Sequence, residues 1–283
     1  MTGQKGCCIV DWSKAKTILL FAFLALNIYL LFQLLTETWA TEVVTNDNTS
    51  IAQILDQRNV DASKLPRMGR DIGYLTGSSE QMSASMITKN REAQLATTLD
   101  NMQLEVELKQ PVPLDQDDLR TTASTFVSEY VPFGSEYAYW RYDAETRQVA
   151  FVQTYENNKI FSNPEIDGET EQYIGPSLLL LQLNEALEVT DYKQRHLTNL
   201  SSKSQDDLVL TASEAISQLA ARKYFQPNQE MRAINTGFYS LPLDSSGSLI
   251  IMPPLWSITI DEDGYFVNAI DGTVERVEFD SEE

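Results

Sequence analysis

Residues 255–279 read LWSITIDEDGYFVNAIDGTVERVEF, three short apolar runs separated by Asp261-Glu262-Asp263-Gly264 and Asp271-Gly272. Both separators have hairpin-turn chemistry, because Asp and Gly tolerate the positive-φ backbone that a tight reversal needs. The stretch therefore predicts an antiparallel meander over Leu255–Ile260, Tyr265–Ile270 and Thr273–Phe279, preceded by strands at Met231–Leu241 and Ser248–Met252. Ahead of these, Thr211 and Glu214 have capping-box spacing. Ala215, Ile216, Leu219 and Ala220 follow at helical period until Phe225-Gln226-Pro227.

The same order stands earlier in the chain. Asp115 to Asp118 is spaced as a capping box, an apolar periodic run continues to Tyr130, and Pro132 stops it. Strand-like runs follow at Glu136–Tyr142, Gln148–Tyr155, Ser177–Leu183 and Val189–Leu197, with Asn157-Asn158 marking a turn before Ile160 and Phe161. Before the helix, Leu104, Val106 and Leu108 alternate with Glu105 and Glu107, a strand with one buried face that Pro111 and Pro113 are expected to end. Ile51, Ile54 and Leu55 give a short helix, and signals are weak from Pro66 to Lys89. A capped helix followed by an antiparallel meander, twice, is an α+β plan. Crossover helices between parallel strands are not indicated.

Towards the N-terminus, Thr17 to Leu35 (TILLFAFLALNIYLLFQLL) carries no charge. As a helix it spans roughly 28 Å, close to the ~30 Å apolar core of a bilayer. Trp12 and Trp39 bracket it, which suits an aromatic ring at each headgroup layer. Basic Lys5, Lys14 and Lys16 precede the span, while Glu37 and Glu42 follow it with no Lys or Arg before Arg58. This bias places the N-terminus in the cytoplasm and the remainder outside. The expected organisation is a cytoplasmic N-terminus (1–16), a transmembrane helix (17–35), a tether (36–50) and two extracytoplasmic α+β domains (51–200 and 201–283). Thr38-Trp39-Ala40 offers small residues to a signal peptidase, but the apolar run exceeds the roughly 7 to 15 residues of a signal-peptide core, so an uncleaved anchor is favoured.

The chain has 21 basic and 41 acidic residues, a formal charge of −20. Lys5, Lys14, Lys16 and Asp11 precede the span, leaving 18 and 40 after it, a net of −22. Such a surface repels phosphate backbones, which excludes nucleic acid as a partner class. Both cysteines, Cys7 and Cys8, precede the span, so no disulfide framework supports the large part. GQKGCC lacks the apolar run expected before a lipidated cysteine.

Catalytic chemistry finds little to stand on. The single histidine, His196, lies in DYKQRHL, and no nucleophile motif such as G-x-S-x-G occurs. A packed or solvated strand histidine is the expectation, with no catalytic residue, cofactor or metal site. Asp261 and Asp263 before Gly264 resemble a fragment of a calcium loop, but Gly stands fourth and Gly272 occupies the twelfth position, where an EF-hand needs Glu. The turn reading is preferred. Asp115, Asp117 and Asp118 fit helix N-terminal preference.

The apolar span offers a contact surface instead. At about 100° per residue Ala22, Ala25, Tyr29 and Gln33 fall in one stripe, with Asn27 about 140° from Ala22. Small residues permit close helix approach, and an amide in hydrocarbon seeks a partner at roughly 0.6 to 2 kcal/mol per interhelical bond. Two faces contacting different helices is the sharper expectation; scattered Ala and one Asn tolerated in any span is the plain one.

Val10 to Ile18, VDWSKAKTI, running directly into the span, resembles the start of YycI (WalI) family proteins, which open Met-Asp-Trp-Ser-Lys before a single membrane helix. The similarity continues through Leu65-Pro66 with Tyr74-Leu75, Pro111-Val112-Pro113, Phe151 to Tyr155 (FVQTY) and Tyr192-Lys193-Gln194. Pro254-Leu255-Trp256 with the hairpin Tyr265 to Val274 is similar to a PepSY-type module. The resemblance implies two related α+β domains and a non-enzymatic accessory regulator of Gram-positive bacteria. Its implied partners are YycH and the sensor histidine kinase WalK (YycG), whose two-component system governs cell-wall metabolism. It also implies that Val10 is the initiator, read as Met from a GTG codon. A membrane-anchored extracytoplasmic domain that binds or cleaves a wall polymer or peptide is the alternative.

Overall fold

The computed structural model describes residues 16–17, 19–29, 48–68, 73–162, 174–203, 209–240 and 249–278. Two compact units result, Met1–Thr49 and Ser50–Glu283. The first contains helix α1 (19–29). Gln33, most of the tether, both cysteines and Val10 lie outside the described residues.

Helix α2 (Asn48–Asp56) leads into the second unit. There strands β1 (Tyr74–Ser79), β2 (Gln94–Leu99) and β3 (Gln103–Pro113) precede helix α3 (Leu119–Tyr130), and strands β4 (Tyr137–Asp143), β5 (Gln148–Tyr155), β6 (Asn158–Ser162), β7 (Leu178–Leu183), β8 (Glu188–Gln194) and β9 (Leu197–Lys203) follow it. Helix α4 (Ala212–Ala221) then precedes β10 (Met231–Ser240), β11 (Ile250–Met252), β12 (Pro254–Ile260), β13 (Asp263–Asn268) and β14 (Val274–Glu278). This is a mixed α+β chain, mostly sheet.

The strands form an 11-stranded sheet in the order β14-β13-β12-β10-β6-β5-β7-β8-β3-β2, with β4 beside β5, and a three-stranded sheet β11-β1-β9. The segments 51–200 and 201–283 share both sheets. Neighbours are antiparallel except β6 and β10, whose parallel register runs from Gly237↔Lys159 to Ser240↔Ser162. This corrects the purely antiparallel expectation. Gly237 permits the pairing, since a Cβ there would meet Phe161 Cε2 at 2.7 Å and the Lys159 carbonyl oxygen at 2.8 Å.

Each helix packs an apolar face on strands. Ala123, Phe126 and Val127 of α3 join Leu104, Val106, Phe151, Leu179, Leu181 and Tyr192 in one core cluster. Ala215, Ile216 and Leu219 of α4 join Trp256, Ile258, Ile260, Tyr265 and Val267 in another. The Thr211 capping box has both of its bonds: the Thr211 side chain accepts from Glu214 N–H and the Glu214 carboxylate accepts from Thr211 N–H. At α3 the cap sits later than its spacing implied. Asp118 is the N-cap, accepting from Thr121 N–H, while Asp115 accepts from Asp117 N–H in the preceding turn.

Two strand assignments also change. β3 runs through Pro111 to Pro113 instead of ending there. β2 pairs with it only as far as Leu108, and a register shift between Glu107 and Val112 separates its two stretches of pairing with β8. Pro111 thus lies at an irregularity, where a missing N–H is tolerated. β2 itself, QLATTL, lacks the clean alternation that would have marked it. The run expected over Val189–Leu197 breaks at Arg195-His196 into β8 and β9.

Candidate functional site

Helix α1 presents apolar side chains on every side. Leu19, Leu20, Phe21, Phe23, Leu24, Leu26, Ile28 and Tyr29 are each at least half exposed, from 50% at Leu24 to 74% at Leu19. Soluble packing leaves such a helix without a buried face, whereas hydrocarbon solvates it all round. Ala22, Ala25 and Asn27 are likewise exposed. Asn27 Nδ2 donates to the Phe23 carbonyl at 2.8 Å, one turn back. That bond uses one of the amide's two hydrogens. Among the described residues no helix is long and apolar enough to cross a membrane.

In the second unit a connected polar cluster surrounds His196. Gln153, wholly buried on β5, accepts from Leu197 N–H at 2.8 Å through Oε1 and donates to the Leu197 carbonyl at 2.9 Å through Nε2. This pair fixes the amide's orientation. Gln153 Nε2 then lies 3.0 Å from His196 Nε2 and 3.3 Å from Glu136 Oε2, and His196 Nε2 is 2.9 Å from the same carboxylate oxygen. Two donors converge on Glu136, so the geometry assigns the imidazole hydrogen to Nε2 and the lone pair to Nδ1, which has no partner in its buried position. Tyr137 OH donates to the Arg195 carbonyl at 2.6 Å, and burial pushes this phenol far above its ordinary pKa.

Phe133 covers the imidazole, stacked at 4.2 Å and 16°. It holds a left-handed backbone, φ 55°, and opens a turn whose next residue must be glycine, because a Cβ on Gly134 would run into the Val127 carbonyl oxygen. The outer side of Phe133 lines a surface hollow of ≈ 350 Å³ together with Lys89, Tyr130 and Ser135. Among the described residues the His196 ring nitrogens contact Gln153 and Glu136 alone, and these contacts tie together β5, the start of β9 and the turn at Gly134–Glu136. His196 is packed, at 5% exposure, in the break between β8 and β9 and not within a strand as the sequence led one to expect.

Among the described residues no group of three or more His, Cys, Asp or Glu side chains could hold a metal ion. At the calcium-like fragment, Asp263 pairs with Arg276 at 2.6 Å and Asp261 accepts from Glu230 N–H at 2.9 Å, with Asp261 in the left-handed region. These carboxylates secure a turn.

Fold and surface together define an α+β sheet protein with an exposed apolar helix near its N-terminus. The family model described as YycI protein matches residues 40–270, and the chain belongs to the YycI family. No curated protein matches it. Among solved structures it is similar to an uncharacterized protein from Eubacterium rectale at 9% identity, covering 82% of this chain and 99% of that one with a TM-score of 0.43. YycH from Bacillus subtilis matches at 12% identity over 82% of this chain and 62% of its own, with a TM-score of 0.39. The C-terminal domain of Bacillus megaterium YpeB matches at 11% identity over 82% and 98%, with a TM-score of 0.35.

Proposed function

We propose that this chain is a single-pass membrane accessory regulator. Its apolar helix and outer α+β segments bind other membrane proteins, a WalK-type sensor kinase and a YycH-like protein, and so bias two-component control of cell-wall metabolism. Membership of the YycI family is the observation that carries the reading, and the all-round apolar surface of α1 supports it. The N-terminus lies in the cytoplasm and Ser50–Glu283 outside. We read 51–200 and 201–283 as two related PepSY-like modules whose sheets have merged.

Within the span, Ala22, Ala25, Tyr29 and Gln33 form one contact stripe and Asn27 the other. Benzoylphenylalanine placed at Asn27 and at Gln33 should crosslink to different partner proteins in cells. Asn27→Leu should weaken one association and spare the other, by the roughly 0.6 to 2 kcal/mol of one interhelical bond. Unchanged co-purification with both partners, or activity that survives exchange of the span for an unrelated anchor, would overturn the assignment.

A further inference from the structure

On the face of the C-terminal meander opposite α4, Tyr239 of β10, Pro253 to Leu255 at the start of β12, Phe266 of β13 and Glu275 of β14 line a cavity of ≈ 230 Å³. Strand alternation puts them there. Tyr265 and Val267 turn towards α4, so Phe266 between them turns away, and its register partner on β14 is Glu275. Leu255 and Phe266 are 2% and 4% exposed and give the cavity an apolar floor. The Tyr239 and Phe266 ring centres lie 5.7 Å apart, tilted by 56°.

Glu275 is the charged group of this lining, and it is exposed. Oε1 accepts from the Tyr239 hydroxyl at 3.2 Å, and a carboxylate has room for about three further hydrogen bonds. Among the described residues Glu275 forms no ion pair. Arg276, next in sequence, lies on the opposite face and pairs with Asp263 at 2.6 Å. After Gly73 the stretches outside the described residues, 163–173, 204–208, 241–248 and 279–283, contain no Lys, Arg or His, so they hold no cation for this carboxylate.

The occupant has to match a small apolar cavity with one carboxylate at its edge, in a chain whose net charge of −20 draws cations and repels anions. A bare metal ion does not match, because no group of three or more ligating side chains stands among the described residues. At ≈ 230 Å³ the cavity falls below the roughly 300–1,000 Å³ of pockets for drug-sized molecules, which suits one side chain. We propose that it receives a basic side chain, lysine or arginine, of a protein partner. The aliphatic stem lies on Leu255, Phe266 and the prolines, and the charged head reaches Glu275 beside the Tyr239 ring. This contact does not involve the membrane helix, so its failure would leave the regulatory reading intact.

The test uses the full chain in nanodiscs of zwitterionic lipid and saturation-transfer NMR on blocked Gly-Gly-X-Gly-Gly peptides, with X lysine, arginine, norleucine or glutamate. The basic peptides should bind with a Kd of about 1 mM and saturate on their stem methylenes, and the norleucine and glutamate peptides at least about fivefold more weakly. Glu275→Gln should weaken the basic peptides at least about fivefold, spare the norleucine peptide and keep the parental unfolding midpoint, since Glu275 is exposed. Glu107→Gln, an exposed carboxylate on β3 away from the cavity, should change nothing, which separates a site from general attraction to an acidic surface. The tighter of the two basic peptides identifies the head group. Absence of saturation at about 20 mM of both basic peptides, equal binding of the norleucine peptide, or an E107Q effect as large as that of E275Q overturns the proposal.

Discussion

Replacing Gln153 by Met tests whether the His196 cluster is a structural brace. Met has similar length and volume, so the cavity contribution is small and the loss is polar. Leu197 N–H and C=O each lose a buried partner, at 2.8 and 2.9 Å. A buried polar group left unsatisfied costs about 1–3 kcal/mol, and the carbonyl suffers less because it has two lone pairs, so about 2–4 kcal/mol is expected. That is a large share of the roughly 5–15 kcal/mol that stabilises a domain. Urea unfolding followed by tryptophan fluorescence is a suitable assay, since Trp256 is 0% and Trp140 8% exposed and both will report loss of packing. Gln153→Glu separates polarity from shape. It keeps the acceptor for Leu197 N–H but sets a second carboxylate beside Glu136, so it should be less stable than Q153M near pH 7 and recover as the pH falls through the carboxylate range. A Q153M variant within about 0.5 kcal/mol of the parent, or a Q153E variant indifferent to acid, would refute the brace.

Thr211→Ala removes the hydroxyl that accepts from Glu214 N–H and should cost about 1 kcal/mol, measured by the same unfolding curve. Tyr137 and Tyr192 both have pKa values raised first by burial. Above the ordinary tyrosine pKa of about 10 the unfolded chain releases these protons while the folded chain keeps them. Stability should therefore be complete below that pH and fall by up to about 1.4 kcal/mol per pH unit per tyrosine above it. Tyr137→Phe should reduce that slope while forfeiting the bond to the Arg195 carbonyl, and an unchanged alkaline slope would show that another group governs it.

Repeated local chemistry was legible. Thr211 with Glu214, the periodic apolar faces of α3 and α4, and the reversals between β12, β13 and β14 each act within a few residues, so a linear reading finds them, although Asp263-Gly264 falls inside β13 and the first reversal is Asp261-Glu262. What escaped depends on partners distant in sequence. β3 continues past Pro111 because β2 pairs with it only to Leu108, and nothing near Pro111 announces where β2 ends. The parallel pairing of β6 with β10 left one trace, a glycine at 237 where Phe161 and Lys159 press close, and a lone glycine in a strand-like run has several meanings.

These long-range features meet on one hairpin. β5 and β6 carry Gln153, which holds the Leu197 backbone at the start of β9, and Thr154, whose hydroxyl donates to the Glu136 carbonyl at 2.9 Å. The same hairpin carries Asn158, which accepts from the Thr236 hydroxyl at 2.6 Å, and Lys159, which reaches Tyr139. Through them it joins the small sheet, the turn after α3 and the C-terminal meander, so each helix-plus-meander segment loses a strand neighbour, at β7 and at β10, if the hairpin detaches. Weakening Gln153 should consequently unfold residues 51–200 and 201–283 in one transition, because the parallel β6–β10 pairing leaves the C-terminal meander no other route into the large sheet.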